Sequence, residues 1–152
     1  MRPVMQILMI VGSESGNAQM VGDCVREELE KQGHEVEVFA EGGLEDARLG
    51  EREVVLAITS TTGLGDLPQN VTRLYEELVA QRPDLSRVRY GLIGMGDRNY
   101  KDTFWGGPKK LDAILGELGA KRVGEPLVLD ATDNPMPDED AVAWTPGWLD
   151  QL

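Results

Sequence analysis

Short apolar runs alternate with amphipathic helical patterns along the chain, and the first such switch constrains the fold most. Ile7 to Val11 is continuously apolar, as a strand covered on both faces should be. It runs into Gly12-Ser13-Glu14-Ser15-Gly16-Asn17-Ala18, and an amphipathic helical pattern from Ala18 to Gln32 leaves that turn. A buried strand, a small-residue turn and a helix N-terminus together make an anion site. The first-turn N–H groups lack intrahelical partners and carry the positive end of the helix dipole. Ser13, Ser15, Asn17 and Ala18 are therefore candidates to hold a phosphate. The competing reading is that Ser15 or Asn17 only caps the helix.

The same alternation continues. Gln6 to Gly12 is the first strand, and the helix after it is expected to place Met20, Val21, Cys24, Val25 and Leu29 on its buried stripe until Gly33 stops it. Glu35 to Phe39 alternates polar with apolar and reads as an edge strand. Gly42 to Glu53 is a polar connection with room for a helical turn over Leu44 to Leu49. Val54 to Thr59 is the third strand, Asn70 to Ala80 a helix, Tyr90 to Gly94 the fourth strand, Pro108 to Leu118 a helix and Leu127 to Leu129 the fifth strand. A last helix is expected from Glu139 to Leu152, kinked or divided at Pro146.

Strands alternating with helices in this way predict an α/β chain with a parallel sheet and helices on both faces. Ligands of such sheets sit beyond the carboxyl ends of the strands, where the strand order reverses. Polar, glycine-rich loops follow the first, third and fourth strands, so all of them emerge at one edge. If the first strand is central and the third and fourth continue to one side of it, the loops share a crevice. The second loop offers Ser60, Thr61 and Thr62, then Gly63 and Gly65, which let the backbone approach a flat ligand. The third runs Gly94-Met95-Gly96-Asp97-Arg98-Asn99-Tyr100, where Tyr100 suits stacking on a planar ring. Phe104 and Trp105 follow, able to pack the base of the loop or to rim a ligand.

Other chemistries fit poorly. The first loop lacks the Lys and spacing of a Walker motif and is not G-x-G-x-x-G. The single His (His34) and single Cys (Cys24) lie apart, without clustered carboxylates in the loops, so no metal site is expected. His34 precedes the second strand, at the end of the sheet away from the loops, which removes a Ser-His-acid triad. No catalytic acid or base is expected either. One Cys permits no disulfide framework, and its place in the helical pattern makes it a core or half-buried thiol. The formal charge of -12, from 15 basic and 27 acidic residues, argues against a nucleic-acid partner and suits basic protein partners. No signal-peptide pattern and no stretch near the roughly 20 apolar residues of a membrane span are visible, so a cytoplasmic home is expected. The length and apolar content suit one domain over residues 1–152. What remains is a site that binds a planar phosphorylated cofactor and leaves the chemistry to it.

In order and spacing, the loops resemble those of the flavodoxin-like proteins, which bind FMN non-covalently, and most closely the short MioC-like group. The FMN domains of diflavin reductases are also similar. The resemblance is carried by Gly12 to Ala18, by Ser60-Thr61-Thr62-Gly63-Leu64-Gly65-Asp66-Leu67-Pro68-Gln69-Asn70, by Gly94 to Tyr100 and by Phe104-Trp105-Gly106-Gly107-Pro108-Lys109-Lys110-Leu111. It implies a three-layer sandwich around a five-stranded parallel sheet in the order 2-1-3-4-5. It also implies that Ser13, Glu14 (through its N–H), Ser15, Gly16, Asn17 and Ala18 hold the FMN phosphate. Ser60, Thr61, Thr62, Gly63 and Gly65 would line the inner side of the isoalloxazine. Gly96, Asp97, Asn99 and Tyr100 would form the outer wall, with Tyr100 stacked on the ring, and Gly94, Met95, Phe104 and Trp105 would complete the cofactor site. Either the side chain or the backbone of Asp97 would accept the ring's N3–H. Many relatives carry a second aromatic where this chain has Thr62, so a one-ring site and weaker binding are expected. Asp66 and Asp97 would disfavour the anionic reduced flavin by like-charge repulsion.

The resemblance thus implies an FMN electron carrier, cytoplasmic and monomeric. An NAD(P)H-dependent reductase of the flavodoxin or ferredoxin reductase type would donate, and a redox enzyme with a basic face would accept. By lineage analogy the acceptor lies in biotin synthesis. The alternatives are an NAD(P)H-dependent FMN quinone or azo reductase and a cofactor-free partner-binding module.

Overall fold

A computed structural model of the chain describes residues 4–13, 16–61, 66–96, 105–130 and 136–152. Its strands are β1 (Gln6–Gly12), β2 (Glu35–Phe39), β3 (Val54–Thr59), β4 (Arg89–Gly96), β5 (Lys121–Arg122) and β6 (Leu127–Asp130). The helices are α1 (Asn17–Lys31), α2 (Leu44–Ala47), α3 (Gln69–Gln81), α4 (Gly106–Glu117) and α5 (Pro137–Gln151), and a 3-10 turn spans Leu49–Glu51. Every strand pairing is parallel and the order is β2-β1-β3-β4-β5, with β6 also on β4. The expected order is therefore the observed one, and the fifth position is filled in two pieces. β5 pairs with the start of β4 at Arg89 and Tyr90, and β6 with its end from Ile93 to Gly96.

The sheet divides two cores. Leu8, Ile10, Val55, Ala57, Tyr90 and Leu92 face the helices α3 and α4, which bring Val71, Leu74, Leu78, Leu111, Ile114 and Leu115. Ile7, Met9, Val11, Leu56, Ile58 and Ile93 face α1 and α5, which bring Val21, Val25, Leu29, Trp148 and Leu149. β1 and β3 bury both faces, which is why they read as unbroken apolar runs, whereas edge strand β2 alternates. Among the described residues, no helix is long and apolar enough to cross a membrane.

Three local expectations need correction. Met20 is 43% exposed, because the buried stripe of α1 runs through Ala18, Val21, Gly22, Val25 and Leu29; Cys24 is half-buried. Burial pushes the Cys24 thiol up, and the nearby Asp138, Glu27 and Asp23 add to it. β4 runs on to Gly96, so Met95 and Gly96 belong to the strand rather than the loop. Nor does Pro146 divide the last helix: α5 is continuous through it. Burial of Ala141, Thr145, Trp148 and Leu149 holds both halves on the sheet, and Thr145 Oγ1 donates to the Ala141 carbonyl at 2.9 Å. Packing of this kind offsets the lost backbone bond at proline.

The far end of β4 carries a polar clasp. The Tyr90 hydroxyl donates to Asp112 Oδ1 at 2.5 Å, and Arg122 Nη1 donates to Asp112 Oδ2 at 2.7 Å, tying β4, α4 and β5 together. Burial first, and then the Asp112 bond and charge, raise the Tyr90 phenol above its ordinary range. A phenol raised by folding contributes stability below its unfolded value, about pH 10, and loses it as pH rises further. Chemical denaturation from about pH 8 to about pH 11 should show that alkaline loss, and Tyr90→Phe should reduce it while costing about 1 kcal/mol at neutral pH. An unchanged alkaline limb in the variant would reject the assignment.

Candidate functional site

The carboxyl ends of β1, β3 and β4 lie side by side at Gly12, Thr59 and Gly94, each in register with the next. The ends of β1 and β3 are bound to one another where their loops begin. Gly12's carbonyl accepts the Ser60 N–H at 3.0 Å and the Ser60 hydroxyl at 3.3 Å, joining the first loop to the second. α4 presses on the second loop from beyond: a Cβ on Gly107 would lie 2.7 Å from the Ser60 carbonyl and 3.1 Å from the Asp66 carbonyl. Lys110, on the first turns of α4, pairs with the Asp66 carboxylate. The charge expected to burden a reduced cofactor thus has a cation beside it.

At the first loop the helix begins with Gly16 in the left-handed region (φ 89°), a conformation that costs glycine little and a side chain much. Gly16 has no side chain to cap α1, and the first intrahelical bond is Met20 N–H to the Gly16 carbonyl at 2.9 Å. The N–H groups of Asn17 and Ala18 precede it and face outward from the helix end. The capping role considered for Asn17 is not what the structure shows, since Gly16 holds the N-cap position. Ser13 is used in forming the turn: its Oγ accepts the Gly16 N–H at 2.9 Å, and its own N–H goes to Asn70 Oδ1 at 3.0 Å. Its hydroxyl proton is what it can still give to an anion.

The second loop contributes a buried hydroxyl, Thr61 Oγ1, with no hydrogen-bond partner among the described residues. Such a donor is costly unless a ligand or water completes it, so its presence here fits a polar group of a bound molecule. On β4, Gly94 has a packing role. A Cβ there would lie 2.3 Å from Trp105 Nε1, so the indole occupies the space a side chain would take. Trp105 is half-buried against the α3/α4 core, under the strand end. The side chain of Met95 is buried in the other core, leaving its backbone toward the loop edge, and Gly96 pairs with Asp130. Glu14, Ser15, Thr62, Gly63, Gly65, Asp97, Asn99, Tyr100 and Phe104 lie outside the described residues. At the opposite end of the sheet, His34 is buried and its Nδ1 accepts the Met5 N–H at 3.1 Å, consistent with a structural residue.

Asn70 is the residue that sequence reasoning passes over. Its place in a polar loop-to-helix junction is visible, but a helix-start asparagine gives no sign of which distant carbonyls it reaches. Lys110 escapes notice for the same reason.

The model of the family described as Flavodoxin matches residues 9–144 of the chain. Protein MioC of Escherichia coli (strain K12) is 42% identical over 146 residues, covering 96% of this chain and 97% of that protein. Flavodoxin YqcA of Pectobacterium carotovorum subsp. carotovorum is 39% identical, covering 95% of each. Among solved structures, a cysteine-to-serine mutant of flavodoxin from Pseudomonas aeruginosa superposes with a TM-score of 0.90 at 34% identity, covering 97% of this chain and 99% of that one.

Proposed function

The chain belongs to the flavodoxin family, and on that premise we propose that its 152 residues form one FMN-binding domain that carries electrons between a reductase and an acceptor. The observation that carries the proposal is the meeting of strand ends at which donor groups are left for a ligand. The α1 N-terminus has no side-chain cap, and Thr61 Oγ1 is buried without a partner among the described residues. Bound FMN would supply one- and two-electron chemistry, which no side chain of the loops offers.

The residues have distinct tasks in this reading. Ser13, Glu14, Ser15, Gly16, Asn17 and Ala18 hold the phosphate by N–H and hydroxyl donors at the positive end of α1. Ser60, Thr61, Thr62, Gly63 and Gly65 line one side of the ring. Gly94, Met95, Gly96, Asp97, Asn99 and Tyr100 line the other, with Phe104 and Trp105 supporting that wall from below. Asp66, paired with Lys110, contributes less repulsion toward added negative charge than an isolated carboxylate would. The net charge of -12 favours docking on basic faces of both donor and acceptor. The donor is a separate NAD(P)H-dependent reductase, and similarity to MioC makes an enzyme of biotin synthesis the first acceptor to assay.

The test is titration of the apoprotein with FMN, then photoreduction followed by visible spectra. One-to-one saturation and a transient long-wavelength band of one-electron-reduced flavin are expected, and Tyr100→Ala should weaken binding about three- to tenfold through loss of a ring contact. Folded protein that refuses FMN would reject the proposal in favour of a partner-binding module. Steady NAD(P)H oxidation without a second protein would reject the carrier role in favour of a reductase.

A further inference from the structure

The second residue of α3 ties the end of β1, and the loop that leaves it, to the end of β2. Asn70 Nδ2 donates to the Val11 carbonyl at 2.7 Å and to the Ala40 carbonyl at 2.6 Å, while Oδ1 accepts the Ser13 N–H at 3.0 Å. The amide's orientation follows from its partners, because carbonyls only accept and an N–H only donates. Successive carbonyls of a strand point to opposite sides. Gly12's carbonyl is taken on the β3 side by Ser60, so Val11's points toward β2. The β1–β2 ladder has already ended at Ile10 and Phe39, which leaves the Val11 and Ala40 carbonyls beyond their strand partners. One side-chain amide completes both.

The same amide reaches the loop. Through Oδ1 it holds the Ser13 N–H, and Ser13 Oγ in turn holds the Gly16 N–H at 2.9 Å. Gly16 is where α1 begins, so the relay runs from α3 through Ser13 to the helix end whose next N–H groups, left without a side-chain cap, would meet the phosphate. Such a relay is pre-organisation: a loop already fixed loses less freedom when its ligand arrives.

We infer that Asn70 is the positioning residue of the phosphate loop, acting on the ligand through Ser13 and Gly16 without touching it. This rests on the FMN reading above. A residue that merely tied β1, β2 and α3 together would affect all flavins alike, whereas one that shapes the phosphate loop acts only on a flavin with a phosphate.

The experiment compares FMN with riboflavin, which lacks the phosphate, on wild type, Asn70→Ala and Asn70→Ser, by flavin-fluorescence titration with circular dichroism as the check on folding. Asn70→Ser keeps an uncharged polar residue at the helix start but is too short to reach Ser13, so it carries the comparison if Asn70→Ala does not fold. The expected result is an FMN Kd raised about ten- to hundredfold, with the riboflavin Kd changed by less than about threefold. Equal losses for both flavins, an unchanged FMN Kd, or failure of both variants to fold would overturn the inference while the FMN reading stands on the wild-type titration. A wild type that binds neither flavin would overturn both.

Discussion

Trp148→Ala should destabilise the protein by about 3–5 kcal/mol, the largest loss expected of any single truncation in the chain. Trp148 is 1% exposed, and its indole lies where Gly91 of β4 has no side chain: a Cβ there would fall 2.5 Å from both Cε2 and Nε1. Trp144 stacks beside it with centroids 5.8 Å apart and planes 12° from parallel. Removing the indole opens a cavity between α5 and the sheet that glycine cannot fill. The converse change, Gly91→Ala, overpacks the same spot and should cost about 1–3 kcal/mol. Together they should cost less than their sum, because the new methyl enters the space the indole has left. Urea denaturation of the four proteins, read at constant m-value, measures the coupling. Additive losses would show that the two residues do not share that space.

Gly94→Ala should lower stability by about 1–3 kcal/mol and FMN affinity by about tenfold. The added methyl would meet Trp105 Nε1 at 2.3 Å and both Cε2 and Cζ2 at 2.5 Å, so the indole must leave its seat. Trp105 immediately precedes α4, whose first turn abuts Ser60 and the Asp66 carbonyl, so its displacement is passed to the loop that bears Thr61. The control lies on the same helix. Gly116 is exposed, a Cβ there meets nothing within 4 Å among the described residues, and Gly116→Ala should stabilise by about 0.4–1 kcal/mol. Thermal melts and FMN titrations on both variants separate the cases. Full FMN affinity in Gly94→Ala would mean that Trp105 does not support the site.

Expectations that depend on local pattern agree with the structure. The apolar runs at Ile7 to Val11 and Val54 to Thr59 are strands buried on both faces, and the alternating Glu35 to Phe39 is an edge strand. A parallel α/β sheet with loops at one edge followed from the order of these elements, because right-handed crossovers leave few topologies. The start of α1 shortly after the end of β1 was legible in the sequence, since a strand, a small-residue turn and a helix are all encoded within one short stretch.

Other features required the tertiary structure because their partners are distant in the chain. Met20 has the right spacing for a buried stripe, but the direction from which the sheet meets α1 turns it outward. Pro146 would break an isolated helix, and α5 survives it only through what Trp148 and Leu149 bury. The pair Lys121–Arg122 has no apolar signature and is a strand because β4 has an open edge there. By itself, then, the sequence determined the main strands and helices, their order and the sheet edge at which the glycine-rich loops emerge, because periodicity and turn chemistry are local properties. The folded chain alone decided that Asn70 reaches Val11, Ala40 and Ser13, and that Gly91 and Gly94 each seat a tryptophan. Those contacts exist only when segments far apart in sequence are brought within bonding distance.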